Sequence, residues 1–504
     1  MFMKKADRCD FTKSACMLII LMALLAVTLL CFSNGISGND FWWHVKVGEW
    51  ITEHKKVPTT DIFSWCGMEK GISWTAHEWL ADVIFYGIYS ALGMLGIFLF
   101  SIVAAISMLF LMFNQARKHI ERNFLVSGLF LVLFAVVASL FFYGRPHVFS
   151  YFLLFVELKI LYVFFEDHDS KSIYYIPLIA ALWSNLHGGS ASLAYILCAL
   201  FLLAGMFNIG FGRIESTRFD RKAAFKLMTV AIGSVIGVLI NPIGFKVLAY
   251  PYVNLSDDIS MSVISEWQAP DAKVIGNLVL YFLPMLMMLF GVICGKMKIR
   301  MIDLLIMFAF MFLFFRSARF IVLWYIAAIF CAFRYMPEIR VKSVIRKSEK
   351  IAVLALVALL IVPCVLGITD TIETYKNGNL VSVAMSKDAV QAVKDDAPQR
   401  IYNDYNLGEA LIYNEIPVFF DARADLYAQE NIMADGISLM YLEPVRTMNQ
   451  NDYVDVDDMI EKYDFDAILI LKGRSLYSYL MNHPERFKLI YEDESLGYFR
   501  IYGG

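Results

Sequence analysis

The chain has 504 residues, of which 59% are hydrophobic, 15% aromatic and only 18% charged, with a mean hydropathy of +0.58. That balance excludes a soluble globular protein, whose surface requires more charge, and leaves a polytopic membrane protein with no nucleic-acid partner. The net charge of −3 hides an asymmetry: from Asp370 onward 24 acidic residues face 12 basic ones, whereas before it 32 basic residues outnumber 23 acidic, as two compartments would produce.

A hydrocarbon core about 30 Å thick needs roughly 20 mostly apolar residues per helix. By that ruler the expected spans are Ala15–Phe32, Met94–Phe113, Phe124–Phe142, Val148–Phe165, Ile173–Asn185, Ala191–Phe207, Phe225–Ile240, Asn277–Cys294, Met301–Phe315, Phe320–Phe333 and Ile351–Ile368. The first has a basic flank and an apolar core without a small-x-small cleavage site, so it reads as a retained signal anchor. Lys and Arg concentrate in the N-terminus, in "RKHIER", "GRIESTRFDRKAAFK", "GKMKIR" and "RYMPEIRVKSVIRKSEK", which all fall on one side. Cytoplasmic loops carry that excess, so the N-terminus is cytoplasmic and the acidic tail extracytoplasmic. The expected organisation is a mainly α-helical membrane domain of about eleven transmembrane helices over residues 1–368, with a long first outer loop at 34–93, and a soluble α/β domain over 369–504.

Within the first loop, Trp79–Leu92 is too apolar for water and too close to the next span to cross separately, and it is expected to lie in the interface. In the tail "RIYND", "VFFDA", "AILILK", "FKLIYED" and "LGYFRIY" read as short strands, with helices near Val456–Tyr463 and Ser475–Asn482. "DVDD" from Asp455 lacks the glycine spacing of a calcium loop and reads as a helix start. The tail has no cysteine, so no disulfide framework is expected there, and no nucleotide-binding glycine motif occurs anywhere.

The polar residues near the expected outer face are clustered. The first loop carries Asp40, His44, Glu49, Asp61, His77 and Glu78. Later loops carry Arg145 and His147 in "YGRPHVFS", Asn185 and His187 in "LWSNLHGG", Glu266 in "SVISEW", and Arg316 and Arg319 in "FFRSARF". A charge at a helix centre costs roughly 2.5–3.5 kcal/mol on insertion scales, so charge repeated at one end of many helices marks a site or a water-filled cavity. Bland readings exist for each: Asp40 as the N-cap of a helix from Phe41, Trp42 and Trp43 as interfacial anchors, the arginines snorkelling to the headgroups, Glu266 held by a structural partner. The histidines fit no compact zinc-ligand spacing.

An acidic residue just after the first span, a long first loop with an interfacial helix, many spans and an extracytoplasmic tail together resemble the glycosyltransferase C superfamily, the lipid-phosphosugar-dependent transferases. "DFWWHVKVGEWI", "PTTDIFSW", "WTAHEWLADVIFY", "NPIGF", "SEWQAPD" and "FFDARADLY" resemble more closely a group of bacterial multispan proteins placed near that superfamily. The resemblance implies that Asp40 is the first-loop catalytic base or metal ligand. Glu266 in "VISE" is similar to the Thr-Ile-x-Glu pattern of oligosaccharyltransferases, which makes it a second catalytic or metal-binding carboxylate, with magnesium or manganese as the implied cation. Val263 stands where that pattern has Thr, and the Trp-Trp-Asp acceptor motif is absent, which argues against asparagine as acceptor.

The expectation is thus a hexosyl- or pentosyl-transferring enzyme of the cytoplasmic membrane. It would take a sugar from a polyprenyl-phosphate-linked donor to an envelope glycan, lipid or protein, surrounded by membrane lipids. His44, Glu49, His77, Glu78, Arg145, His147, His187, Arg316 and Arg319 are the expected substrate-binding residues, since a departing phosphate needs charge stabilisation that arginine supplies. The alternatives are a lipid-carrier or polysaccharide transporter, or an assembly protein without catalysis. A transporter should show polar residues near the midplane or paired broken helices, and the sequence shows little of either.

Overall fold

The computed structural model describes residues 5–32, 40–120, 124–255, 258–271, 273, 275–295, 297–335, 347–376, 385–445 and 454–502. It is mostly helical, and four of its helices are long and apolar enough to cross a membrane: Trp79–Arg117, His147–Glu166, Gly188–Met206 and Leu354–Glu373. The eleven expected spans fall largely on helices. Several of those helices are short, however. Ile321–Cys331 has 11 residues, a rise of roughly 16 Å against a core about 30 Å thick, so an eleven-span count does not follow from the helix lengths.

The chain divides into two units. The first comprises Met1–Ile36, Leu95–Leu248 and Glu266–Glu373, the second Ser37–Met94, Ala249–Ser265 and Thr374–Gly504. The first-loop residues therefore group with the tail. The long helix that starts at Trp79 breaks at Gly93, whose φ of 60° and ψ of −154° suit glycine alone. That break separates the stretch expected in the interface from the span that follows it.

The first unit is a helical assembly around buried aromatics such as Phe130, Trp183, Trp324 and Tyr325. Ile176–Leu186 packs against Arg221–Val238, and Met301–Arg316 against Ile321–Cys331. One small sheet joins β1 (Ile209–Phe211) and β2 (Ile214–Ser216) as a hairpin, with β3 (Ile299–Arg300) parallel to β2. Beside it Asp303, fully buried, accepts hydrogen bonds from Arg300 Nε at 2.7 Å, Tyr162 Oη at 2.8 Å and Tyr335 Oη at 2.5 Å.

In the second unit the tail builds a four-stranded sheet from β4 (Ile401–Asn403), β5 (Ala467–Leu471), β6 (Phe487–Glu492) and β7 (Leu496–Ile501), in the order β4-β5-β7-β6. β4 and β5 are parallel; β7 runs antiparallel to both β5 and β6. The helices Val456–Tyr463 and Ser475–Met481 lie where expected, and Asp455 caps the first through a bond from the Asp457 amide. "VFFDA" is not a strand. The buried Asn403 side chain takes the place of a neighbouring strand by accepting from the Phe419 amide at 2.8 Å and donating to the Phe420 carbonyl at 2.9 Å. Val418 makes only an isolated bridge, with Ser64 of the first loop.

The first loop is tied to the tail by a buried guanidinium. Arg423, 2% exposed, donates from Nη1 to Asp61 Oδ1 at 2.8 Å and from Nε and Nη2 to both oxygens of Asp421 at 2.8 and 2.7 Å. Tyr427 Oη also donates to Asp421, and Ser64 Oγ donates to Asp61. Trp74 lies 4.9 Å from the guanidinium centre. Gly67 leaves room for this arrangement, because a Cβ there would come within 2.1 Å of Asp61 Oδ2.

Removing one partner of a buried ion network leaves an uncompensated charge, at a cost of about 3–5 kcal/mol. Arg423→Met should therefore lower the unfolding temperature of the second unit sharply, and adding Asp61→Asn and Asp421→Asn should recover much of the loss. Thermal unfolding of the purified chain followed by tryptophan fluorescence checks this. A single variant that unfolds with the unmodified protein would show that the guanidinium does not hold the loop.

Candidate functional site

Each unit carries its own cluster of ionisable side chains. In the first, Arg145 sits in the turn between Phe124–Phe141 and His147–Glu166, immediately before Pro146. The pre-proline position disfavours helix and keeps Arg145 in the turn. Glu266 lies in the turn leading to Trp267, and its carbonyl accepts from Ser317 Oγ at 3.1 Å while Gln268 accepts from the Ala318 amide at 2.9 Å. These bonds bring "SEW" beside "RSARF". Arg145 Nη1 then donates to Glu266 Oε1 at 2.8 Å. The Arg145 guanidinium lies 5.0 Å from the Tyr143 ring, and that of Arg319 lies 5.2 Å from the Trp267 ring.

Burial alone would raise the Glu266 carboxyl, but the charge of Arg145, with Arg319 behind it, outweighs burial and holds it well below the usual carboxylate range. Glu266 is thus an ionised, weakly basic group. Two guanidiniums against one carboxylate leave a net positive charge, which suits an anion with several oxygens. His147 sits beside them and donates from Nε2 to the Phe141 carbonyl at 2.8 Å. Arg316 ends its helix three residues before Arg319.

His187 follows the helix Ile176–Leu186. Trp183 Nε1, a donor only, bonds Ser150 Oγ at 2.7 Å, and Ser150 Oγ lies 2.6 Å from His187 Nδ1. The Ser150 hydroxyl thus links the buried indole to the imidazole of His187.

In the second unit Asp40 opens the helix Phe41–His54 with helical φ and ψ, and its side chain makes no capping bond. Its charge reaches Glu409 instead. Glu409 is 2% exposed, accepts from the Ala422 amide at 2.9 Å through Oε1, and has no partner for Oε2 among the described residues. Burial, then the charges of Asp421 and Asp40, push its carboxyl well above the usual range and favour its protonated form.

His44, 2% exposed, places Nδ1 2.6 Å from Asp82 Oδ1 and Nε2 3.9 Å from Glu78 Oε2, while His77 Nε2 lies 3.6 Å from Glu78 Oε1. Two imidazoles thus flank one carboxylate, and a second carboxylate fixes the ring of His44. Glu49 is elsewhere engaged: Lys46 Nζ bonds it at 2.5 Å and Glu415 at 3.0 Å.

Of the expected residues, Arg145, His147, Glu266 and Arg319 come together in the first unit, and His44, His77 and Glu78 in the second. Asp82 and Glu409 were not among the sequence candidates. Asp82 lies in an otherwise apolar helix start, where its charge was legible; nothing in "NLGEALIY" distinguishes Glu409. Glu157, within the span His147–Glu166, was also missed. It is fully buried, and among the described residues neither of its oxygens has a hydrogen-bond partner.

The sequence matches no protein-family model and no curated protein. Among solved structures the chain is similar to the archaeal oligosaccharyltransferase AglB from Archaeoglobus fulgidus, solved in complex with an inhibitory peptide and a dolichol-phosphate. The identity is 12% and the TM-score 0.54, over 92% of this chain and 70% of that one. An apo structure of the Archaeoglobus fulgidus oligosaccharyltransferase aligns at 13% identity and a TM-score of 0.44, over 90% and 69% of the two chains. The chain therefore has an oligosaccharyltransferase-like fold.

The depressed Glu266 carboxyl makes a signed prediction. A carboxyl lowered on folding contributes stability that is present above its unfolded value of 4.5 and lost as pH falls through the folded one. The unmodified chain should therefore exceed Glu266→Gln in melting temperature at pH 6, and the gap should close as the pH is taken below 4.5. A gap that stays constant over that window would mean the ion pair adds nothing.

Proposed function

We propose that this chain is a membrane glycosyltransferase that moves a sugar from a polyprenyl-phosphate-linked donor to a cell-envelope acceptor on the outer face of the membrane. The observation that carries the reading is the Arg145–Glu266–Arg319 cluster, a net-positive group built into turns between helices in a fold of oligosaccharyltransferase type. A lipid-linked sugar leaves as phosphate or diphosphate. Arg145 and Arg319 bind its oxygens, and Glu266 keeps the Arg145 fork oriented, so its part is to position rather than to accept a proton.

The acceptor oxygen attacks the anomeric carbon as the bond from that carbon to the phosphate oxygen breaks. The electron pair stays on the phosphate, and the acceptor proton passes to a general base, the role that the resemblance implies for Asp40. Burial and the nearby charges of Asp421 and Asp40 favour the protonated form of Glu409, the form that can donate a hydrogen bond to a carboxylate.

The resemblance also implies a divalent cation. For magnesium or manganese the expected oxygen ligands are Asp40 and Glu266, but Glu266 is already neutralised by guanidinium groups. His77 and Glu78 offer an imidazole nitrogen and a carboxylate oxygen close enough together to share a divalent transition-metal ion.

Transfer rate against donor-lipid concentration tests the proposal. Arg145→Lys and Arg319→Lys keep the charge but lose the planar fork, so donor use should weaken by about 1–3 kcal/mol, roughly 5- to 150-fold. Asp40→Asn should abolish turnover while leaving donor binding intact. If all three variants, checked for folding, turn over like the unmodified chain, the chemistry is not carried by these groups.

The outer-face assignment rests on the basic loops and has its own check. With Asp370–Gly504 outside the membrane, a reporter fused after Gly504 that is active only in the cytoplasm should stay silent, and activity would reverse the orientation.

A further inference from the structure

The second unit contains a surface cleft of about 310 Å³ lined by none of the residues given a part in the proposed transfer, although Glu49, an expected substrate-binding residue, is on its wall. It lies between the helix Phe41–His54, the start of the helix from Trp79, and the segment around Tyr413–Glu415 of the tail. Its size is at the lower end of small-molecule sites.

The lining has a definite chemistry. Tyr86, Tyr89 and Tyr413 give it three phenol rings, and Tyr89 and Tyr413 join through their hydroxyls at 2.7 Å. The Tyr413 ring is backed by Trp42, with ring centres 4.4 Å apart, so it is a supported platform. Lys46 and Lys394 are balanced by Glu49 and Glu415, and Asn414 adds an amide. Two positive and two negative groups leave the cleft without net charge, which disfavours phosphates and cations equally. What remains is a neutral ligand dense in groups that both donate and accept. Hydroxyls match lysine donors and carboxylate acceptors, and an apolar ring face matches the tyrosines.

The rim is fixed by the end of the helix Gly408–Tyr413, where Glu415 takes the left-handed conformation, its amide bonding the Ile412 carbonyl at 3.0 Å and the Ile416 amide the Leu411 carbonyl at 3.0 Å, and by Lys46, which ties the carboxylates of Glu415 and Glu49.

We propose that this cleft is a saccharide-binding site for a neutral sugar unit, distinct from the groups assigned to donor phosphate. The proposal does not depend on the transferase reading, since a sugar held here need not react. A glycan chain seated by a non-reacting unit would gain residence time on the protein without contributing to bond-making.

The test uses the full chain purified in a detergent without a sugar headgroup. Saturation-transfer NMR is recorded with glucose, galactose, mannose, N-acetylglucosamine and their β1→4 disaccharides, and with glucose 1-phosphate as the anionic comparison. At least one neutral saccharide should receive saturation, and glucose 1-phosphate should not compete with it. Lys394→Ala, on an exposed side chain, and Tyr86→Phe, which removes only a hydroxyl, should each weaken that signal, the lysine change by roughly tenfold in affinity. Arg145→Lys should leave it unchanged, which separates this site from the proposed chemistry. Silence across the panel overturns the proposal. So does a signal indifferent to both cleft variants in folded protein, or displacement of the neutral saccharide by glucose 1-phosphate.

Discussion

A guanidinium buried away from water is tolerated only when its donors are satisfied and its charge is matched, and in the second unit Arg423 meets both conditions with Asp61 and Asp421. Because Asp61 belongs to the first loop and Asp421 to the tail, the requirement couples segments 360 positions apart in the chain. The consequences spread outward. Val418 bridges to Ser64, Trp65 Nε1 donates to the Ile401 carbonyl at 3.0 Å, and Tyr413 reaches Tyr89, so the helix carrying Asp40 and His44 is fixed within the same body as the tail. Placement of the loop's polar chemistry depends on a buried charge that takes no part in it.

The first unit shows how differently an apolar interior treats a carboxylate. Asp303 is fully buried and fully satisfied, with one guanidinium and two phenols converging on it; its role is to hold the small sheet and its helices together. Glu266 is paired with Arg145, and the charge of a second guanidinium, Arg319, also acts on it. Glu157 has burial without a partner among the described residues. Residue type and hydrophobic context are similar in all three. Only the neighbouring side chains distinguish the three.

Segment-level features were legible because they depend on neighbours in sequence. Apolar runs found the helices, and Asp455 announced its own helix through the dipole and the amides it caps. The apolar run in "AILILK" and the apolar residues of "FKLIYED" marked strands that pair with β7, the second with a register shift between Leu489 and Tyr491. "VFFDA" is also an apolar run and is not a strand, because the side chain of Asn403 supplies hydrogen bonds there. Helix lengths blurred for a related reason. Hydropathy continues through turns and 3₁₀ segments such as Ala318–Phe320, where the helix itself has ended.

By itself the sequence determined the class of protein, the two-compartment charge asymmetry, the approximate helices and strands, and the residue types capable of binding phosphate or moving a proton. These follow from composition and from periodicities shorter than one element. The tertiary structure decided which of those residues act together. It paired Arg145 with Glu266, took Asp40 out of a capping role and set its charge against Glu409, placed Glu78 between His44 and His77, and committed Glu49 to Lys46. Such assignments turn on distances of a few ångströms between residues tens to hundreds of positions apart. Only packing resolves them, because the energy of a charge is set by the groups that face it and not by those that precede it in the chain.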